Sequence, residues 1–385
     1  MGGDRKARRG ESGMIYLDYQ ATTPLAPEAA AAMQPWVEDK FANPHSPSRW
    51  GAEAAAAVEV ARDRVERAIG LDGGSLAFTG SATEALNWAL KGSVEKARDG
   101  RNRILTVETE HAAVLDSCAW LEGQGAKVTR LPVSSDGLLD LSALEAALDD
   151  RVLLVAVMLV NNEIGVIQPV AEVARLAHAA GALMLCDAVQ ALGRVTIPDG
   201  PDLVAVSAHK VHGPKGIGAL WMREGCEPAP LIHGGGQERG LRSGTLSPAL
   251  CAGFGAAAKL ASERHDRDCD HVEDLWNAAL AALGPGWIVN GSVGQRYRGN
   301  LNLRRDGLDA GRLLGELRGI ALSLGSACAS GSGRPSHVLR ALGLSDRQAR
   351  SSIRLGFGRY TTQEELRDAI GQIEAAAARQ EQFAA

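Results

Sequence analysis

The feature that most constrains the fold is an alternation of short β-branched runs with Ala-rich helical stretches, from residue 75 to about residue 223. Seven runs have the composition and length of strands: 75–79, 103–107, 128–133, 152–160, 182–186, 203–207 and 218–222. Helical patterns such as 81–97, 111–121 and 170–180 lie between most of them. Strands that alternate with crossover helices predict an α/β domain with a mostly parallel sheet, covered by helices on both faces.

The remainder of the chain predicts a smaller α+β unit. A long helical stretch covers 248 to about 283, and it is followed by strand-like pieces at 300–303 and 353–357 and by helices at 310–317 and 364–378. We therefore expect a large domain at 14–255 and a small C-terminal domain at 256–385. Residues 1–13 are predicted to be a disordered tail, Met14 is an alternative start, and the first residues after it are candidates for packing with the small domain.

Composition and motifs exclude several classes of protein. With 41 Lys and Arg against 46 Asp and Glu, the net charge of -5 gives no basic surplus for nucleic acid or an anionic membrane. The longest apolar run, 152–160, is far shorter than the ~20 residues that span a bilayer. No export signal and no C-x-x-C pair occur, so we expect a cytoplasmic protein without a bound metal or a disulfide framework. The motifs of P-loop NTPases, dinucleotide-binding folds, zincins and serine hydrolases are also absent.

Two segments that follow predicted strands carry groups suited to binding a phosphorylated carbonyl compound. The turn at 79–84 (TGSATE) opens a helix with hydroxyls and free N–H groups, which suits a phosphate, although a plain helix N-cap has the same pattern. Lys210 lies among histidines and glycines in SAHKVHGPKG. A lysine there can form a Schiff base when its neighbours lower its pKa, or it can be a solvated loop residue.

Two further polar residues follow other strands. Asp187 ends the run 182–186, where a carboxylate can keep a pyridinium nitrogen protonated, as pyridoxal phosphate (PLP) requires, or can cap a helix. His111 follows the run 103–107, where an imidazole can stack on a flat ring or move a proton, although a lone histidine is more often structural. Ligands bind at the carboxyl ends of parallel strands, so the convergence of all four features there favours one shared site.

Longer stretches of the sequence are similar to a known family. The chain resembles the cysteine desulfurases, which are PLP enzymes of fold type I in the aminotransferase class V group. The similar stretches span nearly the whole chain after Met14: IYLDYQATTP (15–24), FTGSATEALN (78–87), ETEHAAVLD (108–116), VNNEIGVIQP (160–169), CDAVQ (186–190), SAHKVHGPKGIGAL (207–220), HGGGQERGLRSGT (233–245), SLGSACASGSGRPSHVLRALG (323–343) and SSIRLGFGR (351–359). This resemblance implies a large domain with a mostly parallel seven-stranded sheet and a smaller α+β domain.

The resemblance also implies an activity and roles for individual residues. The activity is conversion of L-cysteine to L-alanine, with transfer of the sulfur to an enzyme cysteine as a persulfide. Lys210 would bind PLP covalently, Asp187 would bond its pyridine nitrogen, and His111 would stack on the ring and take part in proton transfer. The remaining ligands of cofactor and substrate would be Gln190 at the ring hydroxyl, Asn162 beside cofactor and substrate, Ala82, Thr83, Ser207 and His209 at the phosphate, and Arg354 at the substrate carboxylate. Thr245 would reach the phosphate of a neighbouring subunit, which implies a homodimer.

Cys328 is the candidate nucleophile. It lies in GSACASGSG (325–333), whose composition predicts a mobile loop. In contrast, Cys118, Cys186 and Cys251 lie in apolar periodic segments and fit the pattern of buried small hydrophobic residues. No basic residue closely precedes Cys328, so we expect its thiol to be activated within the closed site rather than by a sequence neighbour.

Departures from the family pattern leave alternatives open. Gln20 replaces the usual small hydroxyl residue before ATTP, and Leu324 stands where a small residue is commoner. We also expect the chain to lack the extended tail with which longer members dock an iron-sulfur scaffold. A selenocysteine lyase, a class V aminotransferase and a catalytically idle sulfur-delivery subunit are the alternatives, although transamination needs no thiol. Iron-sulfur assembly, tRNA thiolation and cofactor biosynthesis all remain candidate destinations for the sulfur.

Overall fold

The structure is a computed structural model that describes residues 13–97, 100–324 and 335–384. Most of the predicted tail and all of the segment 325–334, which contains Cys328, lie outside these ranges. The strands are β1 Ile15–Tyr16, β2 Gly74–Thr79, β3 Arg103–Val107, β4 Lys127–Leu131, β5 Val152–Met158, β6 Leu183–Asp187, β7 Leu203–Ser207, β8 Gly218–Arg223, β9 Trp287–Val289, β10 Asn300–Arg305, β11 Ile320–Ala321, β12 Ser323–Leu324 and β13 Ser352–Gly356. The helices are α1 Pro27–Glu38, α2 Arg49–Ile69, α3 Ala82–Lys96, α4 Ala112–Gly123, α5 Leu141–Ala147, α6 Val170–Ala179, α7 Pro248–Glu263, α8 His265–Ala282, α9 Ala310–Glu316, α10 His337–Ala341, α11 Asp346–Arg350 and α12 Gln363–Ala384.

Seven strands form the central sheet, in the order β2-β8-β7-β6-β5-β3-β4. All neighbouring pairs are parallel except those of β8, which runs antiparallel to both β2 and β7. All seven residues of β5 (VLLVAVM) are buried, as expected for a central strand covered on both faces. The predicted mostly parallel, seven-stranded α/β domain is therefore confirmed.

Two apolar cores cover the two faces of this sheet. One contains Phe78 and Trp221 together with buried residues of α2, α6 and α7. The other contains Trp88 and buried residues of α3 and α4. The crossover helices lie on both faces, which leaves the carboxyl ends of the parallel strands along one open edge. At that edge the strand register pairs Met158 of β5 with Asp187 of β6.

A smaller unit is built on a second sheet. Its four strands are antiparallel, in the order β12-β13-β10-β9, and its apolar core includes residues of α8, α9 and α12. Strand β1 pairs in parallel with β11, and Leu17 lies in this second core. The N-terminal strand thus packs with the C-terminal part of the chain.

The stretch 248–283 forms two helices rather than one. Helix α7 ends at Glu263 and α8 begins at His265, because Arg264 between them leaves helical geometry at φ -111° and ψ 3°. Ala257, Ala258 and Ala261 of α7 pack in the core of the large sheet, so that helix is continuous across the predicted domain boundary at 255 and 256. We propose to place the boundary at Arg264 instead.

Two features are absent from the part of the chain that the structure describes. None of the helices there is long and apolar enough to cross a membrane. The same ranges contain no group of three or more His, Cys, Asp or Glu side chains placed to bind a metal ion.

Candidate functional site

Lys210 lies directly beyond β7, in a short 3-10 turn formed by Ala208–Lys210. Its Nζ donates hydrogen bonds to the backbone carbonyls of Gln20, at 2.5 Å, and Ala21, at 2.7 Å. Burial, followed by the positive charges of Arg194 and Arg354, lowers the pKa of Lys210 to about 7. A large fraction of this amine is therefore neutral near pH 7, and the neutral amine is the form that attacks a carbonyl carbon.

Asp187 is the last residue of β6, and only 6% of it is exposed. Its Oδ1 accepts a hydrogen bond from the Val189 N–H at 2.9 Å. Burial raises the pKa of Asp187, whereas this hydrogen bond and the charges of His111 and Lys210 act in the opposite direction. A buried carboxylate without an ion-pair partner in the described ranges is costly, and a cationic N–H placed against it would offset that cost.

His111 is the N-cap residue of α4, where its Nδ1 accepts a hydrogen bond from the Ala113 N–H at 3.1 Å. The cap fixes the ring at the end of the helix while the residue itself stays exposed. Because Nδ1 is the acceptor, the neutral ring carries its proton on Nε2. A fixed, exposed imidazole of this kind can stack on a flat ligand, as the sequence predicts.

The turn between β2 and α3 has the form of a capped helix N-terminus. The Ser81 hydroxyl accepts from the Glu84 N–H at 3.2 Å, and Glu84 accepts from the Gly80 N–H at 2.7 Å. A Cβ on Gly218 would lie 2.6 Å from the Ala82 nitrogen, so only glycine allows β8 to approach this turn so closely. Ala82 and Thr83 occupy the first helical positions, whose N–H groups have no acceptor within the helix. The same turn can therefore cap the helix and bind a phosphate.

Ser207 and His209 complete the predicted phosphate ligands. Ser207 ends β7 and is buried, and the His209 Nδ1 lies 3.1 Å from the Thr22 hydroxyl. Burial and the neighbouring charge of Lys210 lower the pKa of His209 to about 4. His209 is therefore neutral at physiological pH and can serve a phosphate through a hydrogen bond rather than through a charge.

The Gln190 amide is bonded within the protein. Its Nε2 donates to the Gln20 carbonyl at 2.9 Å, and its Oε1 accepts from Arg194. A bond from Gln190 to a ring hydroxyl would have to share or replace one of these partners, and this role stays a prediction.

Arg354 links the smaller unit to this edge of the large sheet. From β13 its Nη1 donates to the Asn162 carbonyl at 2.9 Å, and its Nη2 donates to Asp18 Oδ1 at 2.7 Å. Its Nε is buried and has no hydrogen-bond partner among the described residues. The Ser323 hydroxyl also donates to Asp18, at 2.8 Å. Arg354 and the Asn162 carbonyl are thus in direct contact, and the predicted roles of both residues at the substrate stay predictions.

Cys328 lies outside the described residues, but both described flanks of its segment contact the site. Leu324 pairs with Ile353, next to Arg354, on one side. On the other side, the His337 Nε2 lies 2.9 Å from the carbonyl of Glu110, the residue before His111. Thr245 is exposed, and its predicted contact with a neighbouring subunit stays a prediction.

Three residues of the site were not identified from the sequence. Asp18 is the ion-pair partner of Arg354, and Arg194 donates to the Lys210 carbonyl at 2.7 Å. Glu110 is 1% exposed, its Oε1 accepts from the Met158 N–H at 2.7 Å, and burial raises its pKa well above the usual range. Asp18 and Glu110 lie inside stretches that resemble the family, and Arg194 follows Gln190 by four residues. Neither the resemblance nor this spacing predicts the ion pair of Asp18, the buried hydrogen bond of Glu110 or the bond of Arg194 to the Lys210 carbonyl.

These groups fit PLP. The edge of the sheet holds an amine with a lowered pKa, a buried carboxylate for a ring nitrogen, an exposed imidazole for a ring face, and unpaired helix N–H groups for a phosphate. The buried Nε of Arg354 adds a donor for a substrate carboxylate.

Comparisons with known proteins agree with this geometry. The family model described as aminotransferase class-V matches residues 15–368. The chain is 44% identical over 365 residues to the cysteine desulfurase IscS of Rickettsia bellii, an alignment that covers 92% of this chain and 89% of the relative. A solved NifS-like protein superposes with a TM-score of 0.88 at 34% identity, covering 94% of this chain and 98% of the other. SspA in complex with cysteine superposes with a TM-score of 0.80 at 32% identity, covering 90% of this chain and 99% of the other. The chain therefore belongs to the cysteine desulfurase family of the class-V aminotransferases.

Proposed function

We propose that this chain is a PLP-dependent cysteine desulfurase that converts L-cysteine to L-alanine and receives the sulfur on Cys328 as a persulfide. The observation that carries the proposal is Lys210, a half-buried lysine whose pKa is lowered to about 7 and whose charge interacts with that of the buried Asp187. Perturbed titrating groups that converge at the open edge of a parallel sheet are typical of catalytic sites. The family's cofactor is PLP, and the residues at this edge fit it.

The first role of the site residues in the proposed reaction is to bind and transfer protons. PLP, when bound, supplies an electron sink for charge that develops at the substrate Cα. Neutral Lys210 Nζ is suited to removing the proton from that carbon and returning a proton to it. Asp187 would hold a proton on the ring nitrogen of the bound cofactor, and the exposed His111 ring, fixed at its Nδ1, would offer Nε2 for a second transfer.

The second role is to orient the substrate. The guanidinium of Arg354 binds the carboxylate of L-cysteine, and its bonds to Asn162 and Asp18 fix its orientation before the substrate arrives. The Cys328 thiolate then attacks the substrate sulfur. The Cβ–S bond breaks, its electron pair goes to the organic fragment that becomes alanine after protonation, and the new S–S bond is the persulfide.

We further propose that the active form is a homodimer and that an acceptor protein, such as an iron-sulfur scaffold or a thiolation enzyme, takes the sulfur from Cys328. Thr245 is exposed, in keeping with a contact to a second subunit. Phe41 and Trp50 form an edge-to-face pair and are 80% and 65% exposed, an apolar surface that a second copy would cover. If Thr245 completes the site of the other subunit, mixing Lys210→Ala subunits with Thr245→Ala subunits should restore one intact site per mixed dimer. Full activity of a monomer in sedimentation would refute the shared site.

The experiment that tests the function compares Cys328→Ser with the wild type. Serine is a poor nucleophile toward divalent sulfur, so alanine and sulfide production should fall by orders of magnitude. L-Cysteine should still perturb the absorption band of the bound cofactor, because Lys210 and Arg354 are intact. The matched control is Cys226→Ser, at a half-buried cysteine beyond β8, and it should retain wild-type turnover. Near-wild-type turnover by Cys328→Ser would instead favour a lyase or an aminotransferase.

A further inference from the structure

A small, partly enclosed cavity lies beside Lys210, between the two units of the chain. Its volume is about 30 Å³. The residues of its wall that matter for binding are Arg194, Lys210, Cys269, Val272, Tyr297 and Arg359. None of the predicted phosphate ligands lines it, so this cavity is separate from the turn that would hold a cofactor phosphate.

Arg359 contributes a donor without an acceptor. Its side chain is only 4% exposed, and its Nε donates to Asp268 at 2.7 Å. Its Nη1 is buried and has no hydrogen-bond partner among the described residues. A buried N–H of a charged group that lacks an acceptor is costly, and an anion in the adjacent space would remove that cost.

Arg194 contributes an uncompensated charge. Its guanidinium donates to Gln190 and to the Lys210 carbonyl, and it lies 5.3 Å from the centre of the Tyr297 ring. It forms no ion pair with any residue in the described ranges. The carboxylate at the cavity wall, Asp268, is already shared by Arg359 and by Arg264, whose Nη2 lies 3.2 Å from it.

The other titratable groups of the wall do not supply a negative charge. Burial lowers the pKa of His212 to about 3, so this side chain is neutral. Burial raises the pKa of Tyr19, of Tyr297 and of the half-buried Cys269 thiol, so none of them is an anion near pH 7. The wall therefore carries a net positive charge in a low-dielectric setting, where an anion is held most strongly.

We propose that this cavity is an anion site that binds a single monovalent ion of the size of chloride, between Arg194 and Arg359. A volume of about 30 Å³ admits one or two water-sized particles, which fits a halide and is too small for an organic substrate. A bound anion would offset the charge of Arg194, which lowers the pKa of Lys210, and would therefore raise that pKa. The site would link the halide concentration to the protonation of the catalytic amine.

The test uses bromide, which can be located directly by its anomalous scattering in crystals of the holoenzyme grown or soaked in sodium bromide. The expected result is a bromide peak in the cavity within hydrogen-bonding distance of Arg359 Nη1. In Val272→Leu the added methylene occupies the cavity while every charge is retained, so the peak should disappear. The control is Val293→Leu, at a half-exposed position outside the cavity wall, and it should keep the peak. A cavity that holds only water in bromide, or a peak that survives Val272→Leu, would overturn the proposal.

A second measurement does not depend on crystals. The pH titration of the cofactor absorption band should give a higher apparent pKa in sodium bromide than in sodium gluconate at equal ionic strength, because gluconate is too large to enter. The difference should vanish in Val272→Leu. Arg359→Lys keeps a positive charge beside Asp268 but lacks the donor that Nη1 supplies in the wild type. The bromide concentration at half-saturation should therefore rise about tenfold. Identical titrations of the wild type in the two salts would count against the site.

Discussion

Arg354 provides the sharpest test of how the substrate is recognised, through the substitution Arg354→Lys. The wild-type guanidinium is fixed by bonds of 2.9 Å to the Asn162 carbonyl and 2.7 Å to Asp18, and it keeps a buried Nε without a partner in the described ranges. Lysine retains the positive charge but presents a single ammonium group, which cannot bind Asp18, Asn162 and a carboxylate in one plane. The variant therefore keeps the positive charge but loses the planar arrangement of several hydrogen-bond donors.

The expected magnitude follows from the number of bonds lost. At least one charge-assisted hydrogen bond to the substrate carboxylate is removed, which is worth about 1.5–3 kcal/mol. That loss corresponds to an increase in KM for L-cysteine of about 10- to 150-fold. Because the carboxylate is bound equally in the ground and transition states, kcat should change much less than KM.

The assay measures alanine formation from L-cysteine and from L-cysteine methyl ester, whose carboxylate charge is masked. The wild type should prefer the acid to the ester in kcat/KM, and this preference should shrink in Arg354→Lys by the same factor as the rise in KM. The ratio is insensitive to a general loss of folded protein, since both substrates meet the same enzyme. Arg350→Lys, at an exposed position in the last turn of α11, should leave the ratio unchanged. If Arg354→Lys keeps the wild-type preference, Arg354 does not bind the substrate carboxylate.

Three further predictions concern stability and positioning. The pKa of Lys210 is about 7 in the folded chain and 10.5 when exposed, so between these pH values the unfolded chain binds more protons, and the unfolding free energy of the cofactor-free protein should rise with pH. Urea titrations should show that slope in the wild type and a weaker one in Lys210→Met. His337→Phe removes the bond to the Glu110 carbonyl and should lower kcat for sulfide release about 10- to 100-fold with an unchanged cofactor spectrum, whereas His337→Gln, which keeps a donor, should recover much of the rate; equal rates for both variants would contradict the role. Glu238→Ala leaves Arg62, 8% exposed, with only the exposed Glu59 as an ion-pair partner and removes the acceptor of the buried Phe78 N–H, so it should cost about 3–5 kcal/mol in urea unfolding; a loss below about 1 kcal/mol would show that the pair is not effectively buried.

The strand-end residues of the site could be predicted because their positions depend on a local pattern. Lys210, Asp187 and the turn before Ala82 each follow a short apolar run, and parallel strands bring such positions to one edge. The resemblance to the family then supplied roles that the pattern alone left open. The helix break at Arg264 was missed because neither Gly nor Pro marks it in the sequence, and only the tertiary structure shows that helical geometry is interrupted there.

The sequence by itself determined the α/β architecture and the strands of the central sheet, because the periodicity of strands and helices is visible within windows of a few residues. The tertiary structure decided the electrostatics. The pair of Arg354 with Asp18 joins positions 336 residues apart, and the charge of Arg194 acts on Lys210 from a different segment. Such contacts depend on how separate elements pack, which no local pattern encodes. The lowered pKa of Lys210 is likewise a property of burial and of these neighbours, and it exists only in the folded chain.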